Sequence, residues 1–149
     1  MRVRAQETID ASAAEVFQFV AAEHFENHPK WDTSISEMTP ASPGPIGRGS
    51  TARFVRTDRG RRTEGALTVT DYEPDRLFVA VSRFGPFELH QRAVCEPLPS
   101  GVTRLVLTID TTATGAMRLL LPLLRRQFRH TMHASLRTIK HHVESRTAH

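Results

Sequence analysis

The chain has 149 residues, 39% hydrophobic and 24% charged, proportions expected of one soluble domain with a single core over residues 1–149. Its longest apolar run, Leu119-Leu-Leu-Pro-Leu-Leu124, is far short of the ~20 residues a membrane span needs, and the first residues carry no apolar leader. The single Cys95 excludes an internal disulfide and a cysteine-rich zinc site and points to a reducing, cytoplasmic setting.

Taken in chain order, Arg2 to Ile9 alternates apolar and polar side chains and predicts a half-buried strand. Ser12-Ala-Ala-Glu15 has the spacing of a capping box, and the helix it opens carries Val16, Phe17, Phe19 and Val20. A second short helix is expected over Glu23 to His28, ending before Pro29.

Strands and turns then dominate. Ser36 to Met38 reads as a weak strand, and Thr39 to Pro45 as a proline-rich loop. Gly49 to Thr57 and Arg62 to Tyr72 form strands around a hairpin turn at Asp58-Arg-Gly60, with Leu67 and Val69 on one face. Glu73-Pro-Asp75 turns the chain into a strand at Leu77 to Val81, and Gly85-Pro86 turns it into Phe87 to Glu96. Pro97 to Gly101 precedes the last strand, Thr103 to Ile109. Such short connections imply an antiparallel meander.

Gly115 to about Ser145 predicts one long helix. Leu121, Leu124, Phe128, Met132, Ser135, Ile139 and Val143 step by three or four residues into one apolar stripe. Pro122 marks the place where its regular part begins or kinks. The expected architecture is therefore α+β. A curved antiparallel sheet of about six to seven strands grips the long C-terminal helix, and two short helices follow the first strand. A curved sheet with a helix across its mouth leaves a gap between them, which is the place for a pocket.

The net charge of +4 is unevenly distributed. Residues 111–149 hold Arg118, Arg125, Arg126, Arg129, Arg137, Lys140 and Arg146 against Glu144 alone. Phe128 is the one phenylalanine, tyrosine or tryptophan among these arginines and it belongs to the apolar stripe, so no nucleic-acid partner is expected.

Chemical motifs are sparse. His24 and His28 are four residues apart, but Glu26 between them does not match the zinc-protease pattern and no third ligand is evident. They read as solvated or capping histidines, and no metal or cofactor is expected. His130 and His133 read as surface residues, and His141, His142 and His149 as a fraying tail. Cys95 reads as a buried strand thiol. No nucleophile elbow, phosphate loop or dinucleotide fingerprint is present, so the catalytic residues are unknown.

Several segments in order carry a resemblance: Ile9-Asp-Ala-Ser-Ala-Ala-Glu-Val-Phe-Gln-Phe-Val20, Glu26-Asn-His-Pro-Lys-Trp31, Gly47-Arg-Gly49, Val69-Thr-Asp-Tyr-Glu-Pro-Asp-Arg-Leu77, Gly101-Val-Thr-Arg-Leu105 and Leu136-Arg-Thr-Ile-Lys-His-His-Val-Glu144. Together they resemble the START-like (SRPBCC) superfamily with the helix-grip fold, in particular its polyketide cyclase/dehydrase and lipid-transport-like branch. The resemblance implies a cavity between sheet and C-terminal helix, with Trp31 at its rim or wall. The expected ligand-binding set is Trp31, Phe54, Leu67, Val69, Val79, His90, Arg92, Leu107, Leu121, Leu124, Phe128 and Met132. Arg53, Glu64, His90 and Arg92 lie on flanking strands, and an inward arginine among them would orient a carbonyl or enolate.

Three functions follow. One is binding of a small hydrophobic or amphipathic ligand such as a lipid, polyketide or aromatic, by a monomer or homodimer. Another is a cyclase, aromatase or dehydratase in which one polar cavity residue moves a proton. A third is a protein- or RNA-contacting role for the basic helix face.

Overall fold

The computed structural model describes residues 1–148. Seven strands form one antiparallel sheet: β1 (Arg2–Ile9), β2 (Ile35–Pro40), β3 (Thr51–Asp58), β4 (Arg61–Glu73), β5 (Leu77–Phe84), β6 (Phe87–Pro97) and β7 (Thr103–Ala113). Their spatial order is β1-β7-β6-β5-β4-β3-β2, so the first two strands of the chain occupy opposite edges. The segment joining them must cross the whole sheet. It does so as two short helices, α1 (Ala13–Phe17, continuing into a π-helical turn over Gln18–Ala22) and α2 (His24–Trp31). The 31-residue α3 (Met117–Thr147) fills the remaining concave side. This is the expected helix-grip arrangement.

Local chemistry explains the turns. Ser12 Oγ accepts from the amide of Glu15 at 3.2 Å and donates to its carboxylate at 3.0 Å, which starts α1 where the sequence places it. Asp58 pairs with Arg61, and the two residues between them, Arg59 and Gly60, have φ of 51° and 79°. That left-handed pair is the tight hairpin turn whose twist matches the flanking strands. Register shifts between Val69 and Asp71 and between Ile35 and Glu37 mark bulges, which bend the strands around the helices.

Several expected boundaries move: β5 runs on to Phe84 and β7 to Ala113, and two further shifts involve proline. Helix α2 does not stop before Pro29 but runs through it to Trp31. Proline removes one backbone donor, and burial of the face bearing His24 and His28 outweighs that single lost bond. The strand after α2 extends to Pro40, which sits at the sheet edge where a missing donor costs little.

The core lies between the concave sheet face and the helices. Phe19, Phe78, Ile9, Leu67, Leu105, Leu136 and Ile139 are fully enclosed there. The buried face of α3 is Leu121, Met132, Ser135, Leu136, Ile139 and Val143. It differs from the expected stripe at three places, because Leu136 belongs to it and Leu124 and Phe128 are only half-buried. The first turns of α3 bury only Leu121, beside the end of β7. Polar ties hold the helix in register. Ser135 Oγ donates to the Trp31 carbonyl at 2.9 Å, Lys140 Nζ to the Thr8 carbonyl at 2.6 Å, and the Asp10 amide to Glu144 at 2.8 Å. His141 and His142 belong to regular helix rather than a frayed tail, and His142 stacks on Phe19 at 5.5 Å. His149 lies outside the described residues.

Candidate functional site

Between sheet and helices lies a cavity of about 210 Å³. Strand alternation builds its floor. Phe54 and Arg56 project from β3, Phe78, Ser82 and Phe84 from β5, Leu89, Gln91 and Ala93 from β6, and Leu107, Ile109 and Thr111 from β7. The roof comes from Val20, His24, His28 and Trp31, four positions on one face of the α1–α2 segment, and from Phe128, Met132, Ser135 and Ile139 of α3. Exposed Asp58, Gln127 and Thr131 also line it and mark its opening beside α3.

Most of the wall is apolar, but one end is not. Arg56 Nη1 donates to Asp32 Oδ2 at 2.9 Å, and its Nε reaches Asp58 at 3.4 Å. The guanidinium also lies 5.0 Å from the Phe84 ring centroid, a cation–π placement. Both members of the Asp32–Arg56 pair are largely withdrawn from solvent, so their attraction is poorly screened. The guanidinium pKa is raised: burial opposes its charge, but the Asp32 and Asp58 carboxylates outweigh that loss.

The two cavity histidines have defined states. His24 Nδ1 lies 2.9 Å from the Val20 carbonyl, a group that only accepts, so Nδ1 carries the proton. Its Nε2 is then an acceptor and takes the Gln91 amide N–H at 3.3 Å. Burial, reinforced by His28, pushes the His24 pKa well below its ordinary value. His28 is 8% exposed, and burial followed by the charge of Arg56 brings its pKa down to about 3. Asp32 does not rescue it: the carboxylate is 3.9 Å from Nε2 and already engaged by Arg56. His28 Nδ1 is buried without a hydrogen-bond partner among the described residues.

Of the expected ligand-binding residues, Trp31, Phe54, Leu107, Phe128 and Met132 lie on the cavity wall. Arg92 borders it, yet the residue is exposed and its parity is outward, opposite to Gln91 and Ala93. His90 shares that outer face and contacts Glu88 at 3.0 Å, which removes it from the site. Val79 also has outward parity, alternating with the inward Phe78 and Ala80. Leu67 and Val69 face inward but are wholly enclosed in the core, outside the cavity lining. Leu121 is buried beside a separate groove at the start of α3, and the half-buried Leu124 lies outside the cavity lining. Arg53 and Glu64 are exposed.

The inward arginine is Arg56. Alternation from Phe54 could have found it, since two residues on the same strand share a face. His24 and His28, expected in solvent, are buried on the roof. Their spacing with Trp31, at four and seven residues, is the helical signal that pointed there. Cys95 is buried as expected, and burial together with the nearby negative charge of Asp75 pushes its thiol up to about 12. Among the described residues no cluster of three or more metal-ligating side chains occurs, and no helix is long and apolar enough to cross a membrane.

A family model described as polyketide cyclase/dehydrase and lipid transport matches residues 1–144. No curated protein matches the sequence. Among solved structures, the Zhui aromatase/cyclase from Streptomyces sp. R1128 superposes with a TM-score of 0.79 at 16% identity, covering 99% of this chain and 95% of that one. A START superfamily protein from Mycobacterium smegmatis gives 0.79 at 19% identity, with 97% of each chain covered. The protein TTHA0849 from Thermus thermophilus gives 0.77 at 19% identity, covering 97% of this chain and 98% of that one. At these identities the likeness establishes the fold.

Proposed function

The chain belongs to the polyketide cyclase/dehydrase and lipid-transport family, and from that premise we propose that its cavity binds a small amphipathic molecule. The ligand is a lipid, polyketide or aromatic compound with an apolar body and one polar end, held by a cytoplasmic carrier or sensor. The observation that supports this is the asymmetry of the wall. Phe54, Phe78, Leu107, Phe128, Met132 and Ile139 offer an apolar body site, while Arg56, Asp32 and His28 gather at one end. A pocket of this kind takes affinity from the apolar walls and orientation from a few polar groups. Its volume suits a compact ligand of one or two rings, or a short acyl chain, better than a full-length lipid tail.

A cyclase or dehydratase activity is the second reading, supported by His28 Nδ1, a buried polar atom with no partner among the described residues. Magnitudes favour binding over catalysis. A histidine held near 3 is about four units from neutrality, whereas an effective general base titrates close to working pH. The acceptor nitrogen of His24 is already occupied by Gln91.

Trp31 is the only tryptophan and stands on the cavity wall, so its emission reports occupancy. Titration with 1-naphthol or octanoate should change Trp31 fluorescence saturably. Ser82→Phe, which fills the cavity from the floor, should abolish that response while leaving a cooperative melt. An unsaturable response, or one unaffected by Ser82→Phe, would overturn the binding reading. Native mass spectrometry of protein purified from its own host would then identify the natural occupant.

A further inference from the structure

The first turns of α3 present a surface that neither core nor cavity uses. Leu119, Leu120 and Leu123 are 80%, 46% and 78% exposed, three large apolar side chains within five residues. At 100° per residue they occupy one sector of the helix. Arg118, Arg125 and Arg129 run along one side of that sector, with Arg126 between them and the leucines, and all four are exposed. From residue 111 to residue 143 the chain has six basic side chains and no aspartate or glutamate. The ion pairs α3 does make, Lys140–Glu144 and Arg146–Glu23, lie at its other end. Arg118 and Arg125 also border a groove against the end of β7 that has no acidic residue in its lining.

From this juxtaposition we infer that the Leu119–Arg129 ridge docks the protein on a bilayer surface containing anionic phospholipid. The leucines enter the interface between headgroups and acyl chains, and the arginines engage the phosphates beside them. Apolar residues flanked by arginine on an exposed helix are the physical requirement for lying in that interface. Arginine suits it further, because its apolar stem can remain in the interface while the guanidinium reaches the headgroups. A second copy of the chain fits the surface poorly. Symmetric pairing would bring two acid-free arginine arrays together, and like charges at short range oppose association. The ridge is also convex, which suits a yielding lipid surface better than a protein partner that needs a pocket for its anchors.

The docked ridge ends beside the cavity opening. Leu119 precedes Gln127 by eight residues, about 12 Å along the helix axis. Docking does not require a cavity ligand, so this inference stands independently of the binding reading.

The test is co-sedimentation of the full chain with vesicles of phosphatidylcholine alone, and of phosphatidylcholine with about one-third phosphatidylserine. The chain should partition onto the anionic vesicles and be released by added salt. The double variant Leu119→Ser/Leu123→Ser should lose at least about tenfold in partition. Arg125→Gln and Arg126→Gln should each lose about fivefold, the equivalent of about 1 kcal/mol per surface arginine. These residues are exposed, so the variants should melt as the parent does. Equal binding to both vesicle types, no binding, or leucine variants that bind unchanged would each overturn the inference. So would leucine variants that change the sedimentation coefficient without lipid, which would assign the ridge to a second copy. Binding of polyuridylate in preference to vesicles would likewise refute it.

Discussion

Asp32, at the C-terminal end of α2, and Arg56, on β3, meet at 2.9 Å across the polar end of the cavity. Twenty-four residues separate them in sequence. The pairing of β2 with β3 brings them together, with Ile35 set opposite Arg56 only three residues after Asp32. The contact thus connects the roof of the cavity to its floor.

Arg56→Leu should therefore destabilise the fold by about 2–3 kcal/mol. Breaking a fully buried pair costs about 3–5 kcal/mol, and the partial hydration here reduces that figure. Asp32→Leu/Arg56→Leu should recover most of the loss, because no uncompensated carboxylate remains. Urea denaturation of the three proteins checks this. A double variant no more stable than the single would show that Arg56 acts through Phe84 rather than through Asp32.

Acid should weaken the protein before its carboxylates titrate. His24 and His28 both have folded pKa values below the ordinary histidine value, so the unfolded chain takes up protons first as pH falls. Their contribution is complete above about pH 6.5 and is lost progressively as pH falls, in the case of His28 down to about 3. Each histidine should add a slope of about 1.4 kcal/mol per pH unit once the unfolded form is protonated. His28→Gln should flatten the stability profile between about pH 6 and pH 5. A slope unchanged by that substitution would show that His28 is protonated in the fold.

Gly65→Ala should cost about 1–3 kcal/mol through overpacking. A methyl group there would meet the Arg83 carbonyl at 2.8 Å and overlap the Phe54 ring. The carbonyl belongs to a paired strand and cannot yield, so the clash pushes Phe54 toward the cavity. Thermal melts read the loss, and the Trp31 titration should show weaker probe binding. A neutral substitution would mean that the β4–β5 spacing relaxes freely.

The two ends of α3 should respond differently to the same change. Leu136→Ala removes an enclosed side chain and should cost about 2–5 kcal/mol. Leu123→Ala, at an exposed position, should lie within about 0.5 kcal/mol of the parent. Chemical denaturation of both variants measures the contrast. Equal losses would mean that Leu123 is packed against the protein rather than exposed.

Much of the fold was legible in the sequence. Ser12 and Glu15 located the first helix, Asp58-Arg-Gly60 located a hairpin, and alternation in Thr103 to Ile109 located a strand. These signals are local, arising from capping, turn geometry and side-chain period within a few residues. The long helix was equally plain from its spacing. Its inner face was read only in part, because Leu124 and Leu136 both fit a helical spacing but lie about 120° apart around the axis, and only docking decides which of them faces the sheet.

The site was less legible for the same reason. Period alone shows that Phe54 and Arg56 share one face of β3 and that Arg53 takes the other. It does not show which face meets the helices when both carry charge, so Arg53, Glu64, His90 and Arg92 stood as the candidates and Arg56 was missed. Nor could the polarity of His24 and His28 reveal their burial, since that depends on a sheet built from residues far along the chain. The sequence by itself determined the elements and their order, because those follow from short-range chemistry. Tertiary structure alone decided which polar groups face the cavity, because facing inward is a relation between elements that only strand pairing and helix docking create.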